Sequence, residues 1–221
     1  MEIVFKEKSI TGICGNSSKN TIGREIAYLD NLKGKVSYVS NNIGNYVYKK
    51  TVLEEIKYHQ SHYHNTNDNL LEILESINLD ESYLNKNPNK LSTSEQKKVM
   101  LASIISCNPE VIVLDDFGKG LNKNSKLEIK KILKSLDKTI IIITNDLEFL
   151  NNYVDRVYLV IDKRIILDTS GKNLLFEDEL YEYVDMPEII DFIQHTHREG
   201  HSLKKYDDIK ELMKEIYREI K

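Results

Sequence analysis

The chain has little of several features that would assign it to a common class. Its 221 residues include two cysteines, Cys14 and Cys107, which build neither a disulfide framework nor a CxxC metal or redox pattern. No segment approaches eighteen uninterrupted apolar residues, so we expect a soluble, cytoplasmic protein whose membrane contact would go through a partner. The net charge is -4, and the basic residues are interleaved with acidic ones, which argues against nucleic-acid binding.

Strand-like and helix-like patterns alternate along the chain, which predicts an α/β fold. The runs VIVLDD (111–116) and TIIIIT (139–144) are continuously apolar, as in strands buried on both faces of a largely parallel sheet. Shorter strands are predicted at 3–5, 9–14 and 35–40. Residues 155–169 alternate and turn at Asp162-Lys163, which predicts a β-hairpin.

Helices are predicted over most of residues 51–107, with Thr51 as N-cap and a loop around Pro88. A new helix should begin at Ser92 or just after it, and another should span 125–136. From Gly171 the pattern is helical again, so we place a domain boundary near residue 170. The last helix should bury an apolar stripe: Ile209, Leu212, Met213, Ile216 and Ile220.

The stretch GICGNSSKNT (12–21) lies between a predicted strand and a helix-compatible segment, as a phosphate-binding loop does. Such a loop reads G-x-x-x-x-G-K-[ST], with the first glycine six positions before the lysine. Here Gly12 lies seven positions before Lys19, and Gly15 lies four before it. The spacing therefore predicts an altered cradle for phosphate.

Three further stretches follow the loop in order: LSTSEQKKV (91–99), VIVLDDFGKGLN (111–122) and TIIIITND (139–146). Together these features resemble the ATP-binding cassette (ABC) family, in which phosphate loop, Q-loop, LSGGQ signature, Walker B, D-loop and H-loop follow one another. The resemblance implies a P-loop NTPase ABC cassette. It would comprise a nucleotide-binding domain at 1–170 with a RecA-like core and a helical subdomain at about 51–107, and a C-terminal helical extension at 171–221.

Three stretches narrow the resemblance: VSYVSNNIGNYVYKKTVLEEI (36–56), LDESYLNKNPNKLS (79–92) and MPEIIDFIQHTHREGHSLKKYDDIKELM (186–213). They look like the ATPase subunits of energy-coupling factor importers. In that family two cassettes bind ATP between them and move a transmembrane coupling protein, and the C-terminal helices help to hold the dimer together. The resemblance thus implies a peripheral protein on the inner face of the cell membrane.

The resemblance also implies site residues, with ATP and Mg²⁺ as cofactors. Ser18 stands where the last loop glycine belongs, and Asn20 stands where a hydroxyl would bind Mg²⁺. We expect ATP to be bound weakly. The implied nucleotide-binding residues are Gly15, Ser17, Ser18, Lys19, Asn20 and Thr21.

The implied catalytic residues are altered as well. Asp115 would hold Mg²⁺, and Asp116 replaces the Walker B glutamate that polarises the attacking water. Its shorter arm withdraws the base by about one ångström, which can cost about a hundredfold in rate. Asn41 and Asn145 replace the Q-loop glutamine and the H-loop histidine, and Asn145 cannot take up a proton. Hydrolysis should suffer more than binding.

The signature motif keeps Ser92 and Glu95, but Thr93 and Ser94 replace its two glycines and would crowd the facing phosphate. Asn122 replaces the D-loop aspartate. Each ATP in a cassette dimer lies between one subunit's loop and the other's signature, so a homodimer of this chain should be close to inert. A heterodimer with another ABC ATPase subunit is favoured.

The sequence therefore predicts the ATP-binding subunit of an energy-coupling factor importer of a micronutrient, with hydrolysis weak or absent. The alternative is a non-catalytic pseudo-ATPase scaffold that completes a heterodimer or docks a membrane protein. A cassette protein without any transporter is a third possibility, which the Q-loop surroundings and the C-terminal helices disfavour.

Overall fold

A mostly parallel sheet with helices around it forms the fold. The computed structural model describes residues 3–16, 19, 21–22, 25, 35–40, 48–63, 66–151, 153–199 and 209–219. The strands are β1 (Ile10–Gly15), β2 (Val36–Ser40), β3 (Val111–Asp115), β4 (Thr139–Ile143), β5 (Arg156–Ile161) and β6 (Arg164–Thr169).

The six strands lie in the order β2-β3-β4-β1-β5-β6. All neighbouring pairs are parallel except β5 and β6, which form the predicted antiparallel hairpin. Its turn residues Asp162 and Lys163 have φ angles of 49° and 63°, as a tight two-residue hairpin loop requires. The α/β fold with a largely parallel sheet is thus confirmed.

Helices of the described segments connect and cover the strands. They are α1 (Val52–Gln60), α2 (Leu70–Ser76), α3 (Thr93–Ser106), α4 (Lys123–Ser135), α5 (Leu147–Leu150), α6 (Glu188–Arg198) and α7 (Ile209–Glu219). Short 3₁₀ turns lie at Glu81–Asn85, Pro88–Lys90, Leu174–Phe176 and Asp178–Glu182.

Two helix starts match the sequence prediction because both carry a complete capping box. The side chain of Thr51 accepts from the Glu54 amide, and that of Ser92 accepts from the Glu95 amide. In each case the glutamate side chain accepts the N-cap backbone N–H in return. These signals lie within four residues, so the sequence alone specifies them.

The core lies on both faces of the sheet. The apolar runs in β3 and β4 are almost fully buried, as predicted for central parallel strands. One face packs against the helices in the larger cluster, which includes Phe117 and Phe149. The other face carries a smaller cluster that contains Ile13, Tyr158 and Val160. No helix of the described residues is both long and apolar enough to cross a membrane.

The strand predicted at residues 3–5 is wrong. This segment has no regular secondary structure, although Val4 is fixed to the sheet through the side chain of Tyr158. The Tyr158 hydroxyl accepts from the Val4 N–H and donates to its carbonyl, each at 3.2 Å. A side chain thus replaces the neighbouring strand that an apolar tripeptide would need.

The C-terminal helices form a small cluster of their own, in which Ile193 packs with Leu212 and Ile216. Met213 is 41% exposed, so its place in the predicted buried stripe is wrong. Five buried residues beyond the predicted boundary belong to the main core cluster: Leu174, Leu175, Leu180, Val184 and Ile190. The boundary near residue 170 stays a prediction.

Candidate nucleotide site

The carboxyl ends of three central strands meet at one edge of the sheet. Asp115, the last residue of β3, is in register with Ile143 of β4, which in turn pairs with Ile13 of β1. The Thr144 N–H continues this ladder by donating to the Ile13 carbonyl at 2.9 Å. Ligands of parallel α/β sheets bind at such an edge, outside the carboxyl ends of the strands. The residues expected to bind phosphate and metal therefore leave the sheet together.

Gly15 ends β1 in a position that only glycine fits. Its φ is 131°, and an added Cβ would lie 2.0 Å from the Val160 carbonyl oxygen of β5. On its other side, the Asn145 side chain accepts from the Gly15 N–H and donates to the Gly15 carbonyl, both at 2.9 Å. The last residue of β1 thus lies close against β5 on one side and is hydrogen-bonded to Asn145, two residues beyond β4, on the other.

The next residue is fixed to the β5–β6 turn. Asn16 donates through Nδ2 to Asp162 Oδ1 at 2.8 Å, and its Oδ1 accepts from the Asp162 N–H at 3.4 Å. The Asn16 carbonyl then accepts from the Lys19 N–H at 3.1 Å. This bond joins Asn16 to Lys19, which is itself helical.

Lys19 is only 7% exposed. Among the residues that the structure describes, its ammonium has neither an ion pair nor a hydrogen bond. Its charge acts on the neighbouring Cys14 thiol, whose pKa burial raises to about 12 while Lys19 opposes the rise. A buried lysine without a carboxylate partner is costly and suits a site that receives an anion.

Asp115 is buried, with 6% exposure, at the end of β3. The hydroxyl of Tyr38 in β2 donates to its Oδ2 at 2.5 Å. Ser40, in register with Asp115, ends β2 immediately before the expected Q-loop residue. The neighbouring strand thus orients the carboxylate expected to hold Mg²⁺.

Asp116 leaves the sheet in the left-handed conformation, with φ of 49°. Its N–H donates to the Ile143 carbonyl at 2.7 Å, and its own carbonyl accepts from the Lys119 N–H at 3.0 Å. These bonds fix a turn immediately after the strand. Aspartate is among the few residues with side chains that adopt this conformation readily.

Lys97 of α3 is almost completely buried, with 1% exposure, and reaches the same turn. Its ammonium donates to the carbonyl of Phe117 and, at 2.7 Å, to that of Lys119. Burial lowers the pKa of Lys97 to about 8, and the negative charge of Asp116 opposes this shift. The helix that follows the signature is therefore bonded to the loop that follows the Walker B strand.

The signature residues form the start of α3. Ser92 and Glu95 make the capping box, and Tyr83 donates to Glu95 Oε1 at 2.5 Å. The Ser92 hydroxyl also donates to Glu95 Oε2 at 2.6 Å, and these bonds to the carboxylate, that from the Ser92 side chain first, lower the pKa of Glu95 to about 2. Thr93 is exposed and Ser94 is partly exposed on the first turn.

Some of the expected site residues lie outside the described residues: Ser17, Ser18, Asn20 and Asn41. Thr21 is helical and partly exposed, two positions after Lys19. Asn122, expected in the D-loop, is the N-cap of α4 and accepts from the Ser125 N–H at 2.9 Å.

The described residues fit Mg-ATP in two respects. Lys19, four residues after the end of β1, is a lysine with 7% exposure, and Asp115 offers a carboxylate at the end of β3. No group of three or more possible metal ligands exists among the described residues. Mg²⁺ bound to a nucleotide commonly uses one or two protein carboxylates together with phosphate oxygens, so a single carboxylate suits this mode.

Sequence reasoning missed three contributors to this edge of the sheet: Tyr38, Lys97 and Asp162. Each acts on a residue far away in the chain, so no local spacing reveals it. The position of Lys97 carries a weak signal, because it opens the helical stretch KKVMLASII, which is largely apolar after its two lysines, and a buried lysine there needs a polar partner.

Comparison with known proteins places this geometry in a family. The sequence model described as ABC transporter matches residues 7–117. A putative ABC transporter ATP-binding protein of Methanocaldococcus jannaschii is 30% identical over 195 residues, covering 85% of this chain and 68% of the relative. The energy-coupling factor transporter ATP-binding protein EcfA2 of Staphylococcus aureus is 29% identical over 141 residues, covering 61% of this chain and 49% of the relative.

Among solved structures, cbiO1 from Clostridium perfringens, described as part of the ABC transporter complex cbiONQ, aligns with a TM-score of 0.71 at 21% identity. The alignment covers 91% of this chain and 89% of cbiO1, and it supports the cassette fold. The chain spans about half the length of several curated relatives, with 34%, 49% and 57% of three of them covered. By its sequence match and its cassette fold, the chain belongs to the ABC transporter family of ATP-binding proteins.

Proposed function

We propose that the chain is the ATP-binding subunit of an energy-coupling factor type importer of a micronutrient, and that it binds Mg-ATP weakly and hydrolyses it slowly or not at all. The observation that carries the proposal is Lys19, a buried lysine with no ion pair among the described residues. A triphosphate would supply the missing negative charge. Gly15, at the start of the loop, has a φ of 131° that suits glycine, and glycine lets the backbone of a phosphate loop approach its ligand closely.

Weak hydrolysis follows from the residues that should move a proton or polarise water. Asp116 has a shorter arm than glutamate, and its backbone is fixed in a turn by two hydrogen bonds. Asn145 is bonded to both polar backbone groups of Gly15 and has no group that takes up a proton. Binding of ATP requires positive charge and backbone amides, whereas its hydrolysis requires a positioned base. We therefore expect these substitutions to impair hydrolysis more than binding.

The proposed partners are a second ABC ATPase subunit and a transmembrane coupling protein, which would hold the chain at the inner face of the membrane. The similarity to EcfA2 supports this class of transporter. Thr93 and Ser94 favour a heterodimer, because their side chains would crowd a phosphate bound by the other subunit. The domain arrangement proposed with it is a nucleotide-binding domain at 1–170 and a dimerisation segment at 171–221.

Titration of Mg-ATP against the purified chain by calorimetry tests the proposal. We expect a dissociation constant tighter than about 1 mM. Lys19→Met should weaken binding by about 10- to 100-fold, because a charge-assisted bond is worth about 1.5–3 kcal/mol. The matched control is Lys35→Met, at an exposed lysine paired with Glu110 at 3.1 Å, which should bind like the parent chain.

The second candidate is the non-catalytic scaffold, which the fixed backbone of Asp116 and the engaged amide of Asn145 favour. It predicts no binding of Mg-ATP at millimolar concentration, alone or with a partner ATPase subunit, while the partner complex still assembles. Absence of binding in both forms would therefore reject the ATP-binding subunit and favour the scaffold. Brisk phosphate release by the chain alone would reject both.

A further inference from the structure

The side-chain amide of Asn145 pairs with a backbone residue as a neighbouring strand would. The β1–β4 ladder reaches Ile13 and Ile143, and the Thr144 N–H then donates to the Ile13 carbonyl. At Gly15 the main chain of β4 contributes nothing further to the recorded backbone bonds. The Asn145 amide instead accepts from the Gly15 N–H and donates to the Gly15 carbonyl, each at 2.9 Å.

An amide is suited to this pairing because its oxygen and nitrogen point in the same general direction, as do the N–H and C=O of a residue in a strand. Both bonds are as short as ordinary ladder bonds. Gly15 is simultaneously in register with Val160 of β5, so it has a neighbour on both sides even though β4 has ended. The pairing therefore fixes the direction in which the chain enters the loop.

We propose that Asn145 is a positioning residue of the nucleotide site: its amide extends the β1–β4 ladder to Gly15 and so sets the path of the loop that carries Lys19. The nucleotide part of this inference rests on the proposed function. The pairing itself can be measured without nucleotide.

The same geometry explains why a histidine is not equivalent at this position. A neutral imidazole has one donor and one acceptor, but its two ring nitrogens point away from each other and cannot both reach one residue's N–H and C=O. Restoring the histidine found in the family would remove at least one of the two bonds. Asn145→His should consequently bind Mg-ATP less well than the parent chain and gain no hydrolysis.

Asn145→Asp tests the pairing through pH, because aspartate has nearly the shape of asparagine. A protonated carboxyl group offers one donor and one acceptor, as the amide does. An ionised carboxylate offers only acceptors, so it loses the bond to the Gly15 carbonyl and is repelled by that oxygen. The repulsion weakens the whole pairing, including the bond from the Gly15 N–H. Asn145→Ala lacks both groups at every pH. The readout is hydrogen exchange of the Gly15 amide by NMR, corrected for the intrinsic exchange rate at each pH.

At pH 7 we expect the Gly15 amide to exchange at least about tenfold faster in Asn145→Asp and Asn145→Ala than in the parent chain. On lowering the pH to 3, about one unit below the ordinary aspartate pKa of about 3.9, protection should return in the aspartate variant and stay lost in the alanine variant. The parent chain, measured in parallel, accounts for titration of the neighbouring charges: Asp116, Asp146 with its partner Lys126, Asp162 and Lys19. Asn108→Asp, at a residue bonded to Lys138, controls for the added charge.

Equal protection in all variants at both pH values would overturn the pairing, as would loss of protection in the aspartate variant that does not reverse with acid. Mg-ATP affinity at pH 7 tests the second part of the proposal, that Asn145 sets the path of the loop that carries Lys19. A drop of about tenfold in Asn145→Asp supports positioning, and unchanged affinity despite faster exchange overturns it. If the parent chain itself binds no nucleotide, the proposed function fails while the exchange result still decides the pairing.

Discussion

Replacing Lys97 with methionine should change how the stability of the protein depends on pH. The ammonium of Lys97 is buried against the carbonyls of Phe117 and Lys119, and burial lowers its pKa from 10.5 to about 8. Between these two values the unfolded chain retains a proton that the folded chain has released. The unfolded state thus binds more protons in this range, so the free energy of unfolding rises with pH.

The size of the effect follows from the two pKa values. One pKa unit corresponds to about 1.4 kcal/mol, so the interval between about 8 and 10.5 amounts to about 3 kcal/mol, of which about 2 kcal/mol is reached by pH 10. At pH 7 the variant loses two hydrogen bonds, at about 1–3 kcal/mol for each carbonyl left unpaired, but it also loses the cost of burying a charge. These contributions oppose each other, so the change with pH is the informative quantity.

Urea denaturation of the parent chain and Lys97→Met at pH 7, 8, 9 and 10 measures how the difference in their stabilities changes with pH. The stability of the parent chain relative to the variant should rise by about 2 kcal/mol across the series. Lys138→Met, at a surface lysine that donates to Asn108, serves as the control for loss of one lysine. A difference that stays constant or falls with rising pH would refute the idea that burial of the Lys97 ammonium dominates its energetics.

Two further predictions concern the ends of β1 and of the signature. Gly15→Ala should destabilise the protein by more than about 2 kcal/mol in urea denaturation, because its Cβ would meet Val160. The control is Gly120→Ala, with φ of 79° and open space around it, which should cost less. Equal losses of stability in the two variants would contradict the clash. Hydrogen bonds, chiefly from the Ser92 side chain, lower the pKa of Glu95 to about 2, below its ordinary 4.5, so the stability that it adds is present above pH 4.5 and lost as pH falls towards 2. In thermal melts the advantage of the parent chain over Glu95→Gln should shrink from pH 5 to pH 2, and an advantage that grows there would contradict it.

The fold could be predicted where the determining signal is local. The continuous apolar runs of β3 and β4 can be satisfied only between two covered faces, and the capping boxes at Thr51 and Ser92 are complete within four residues. The hairpin at Asp162 is likewise marked by its turn residues. The segment at 3–5 looked like a strand because it consists of three consecutive apolar residues with no residue that forbids strand pairing. In the structure a tyrosine hydroxyl takes the place of the partner strand.

The candidate site could be predicted only in part. Residue types and order indicated Lys19, Asp115, Asp116 and Asn145, because the family pattern orders them along the chain. Their contacts depend on pairing between distant parts of the chain, as between Asn145 and Gly15, which lie 130 residues apart, and sequence spacing carries no information on such pairing. The expected roles in binding and catalysis therefore stay predictions, whereas the hydrogen bonds that orient these residues come from the fold.

The aspartate at position 116 is linked to the conformation of its own backbone. The residue has a φ of 49°, a conformation in which short polar side chains are enriched. Its N–H is bonded to Ile143, and Lys97 bonds the carbonyls of Phe117 and Lys119 that follow. A glutamate would extend the carboxylate by one methylene but would adopt this conformation less readily. Reach and backbone geometry thus change together, so under the proposed function any hydrolysis would depend on the whole turn between Asp116 and Lys119, including its bonds to Lys97, and not on the length of one side chain.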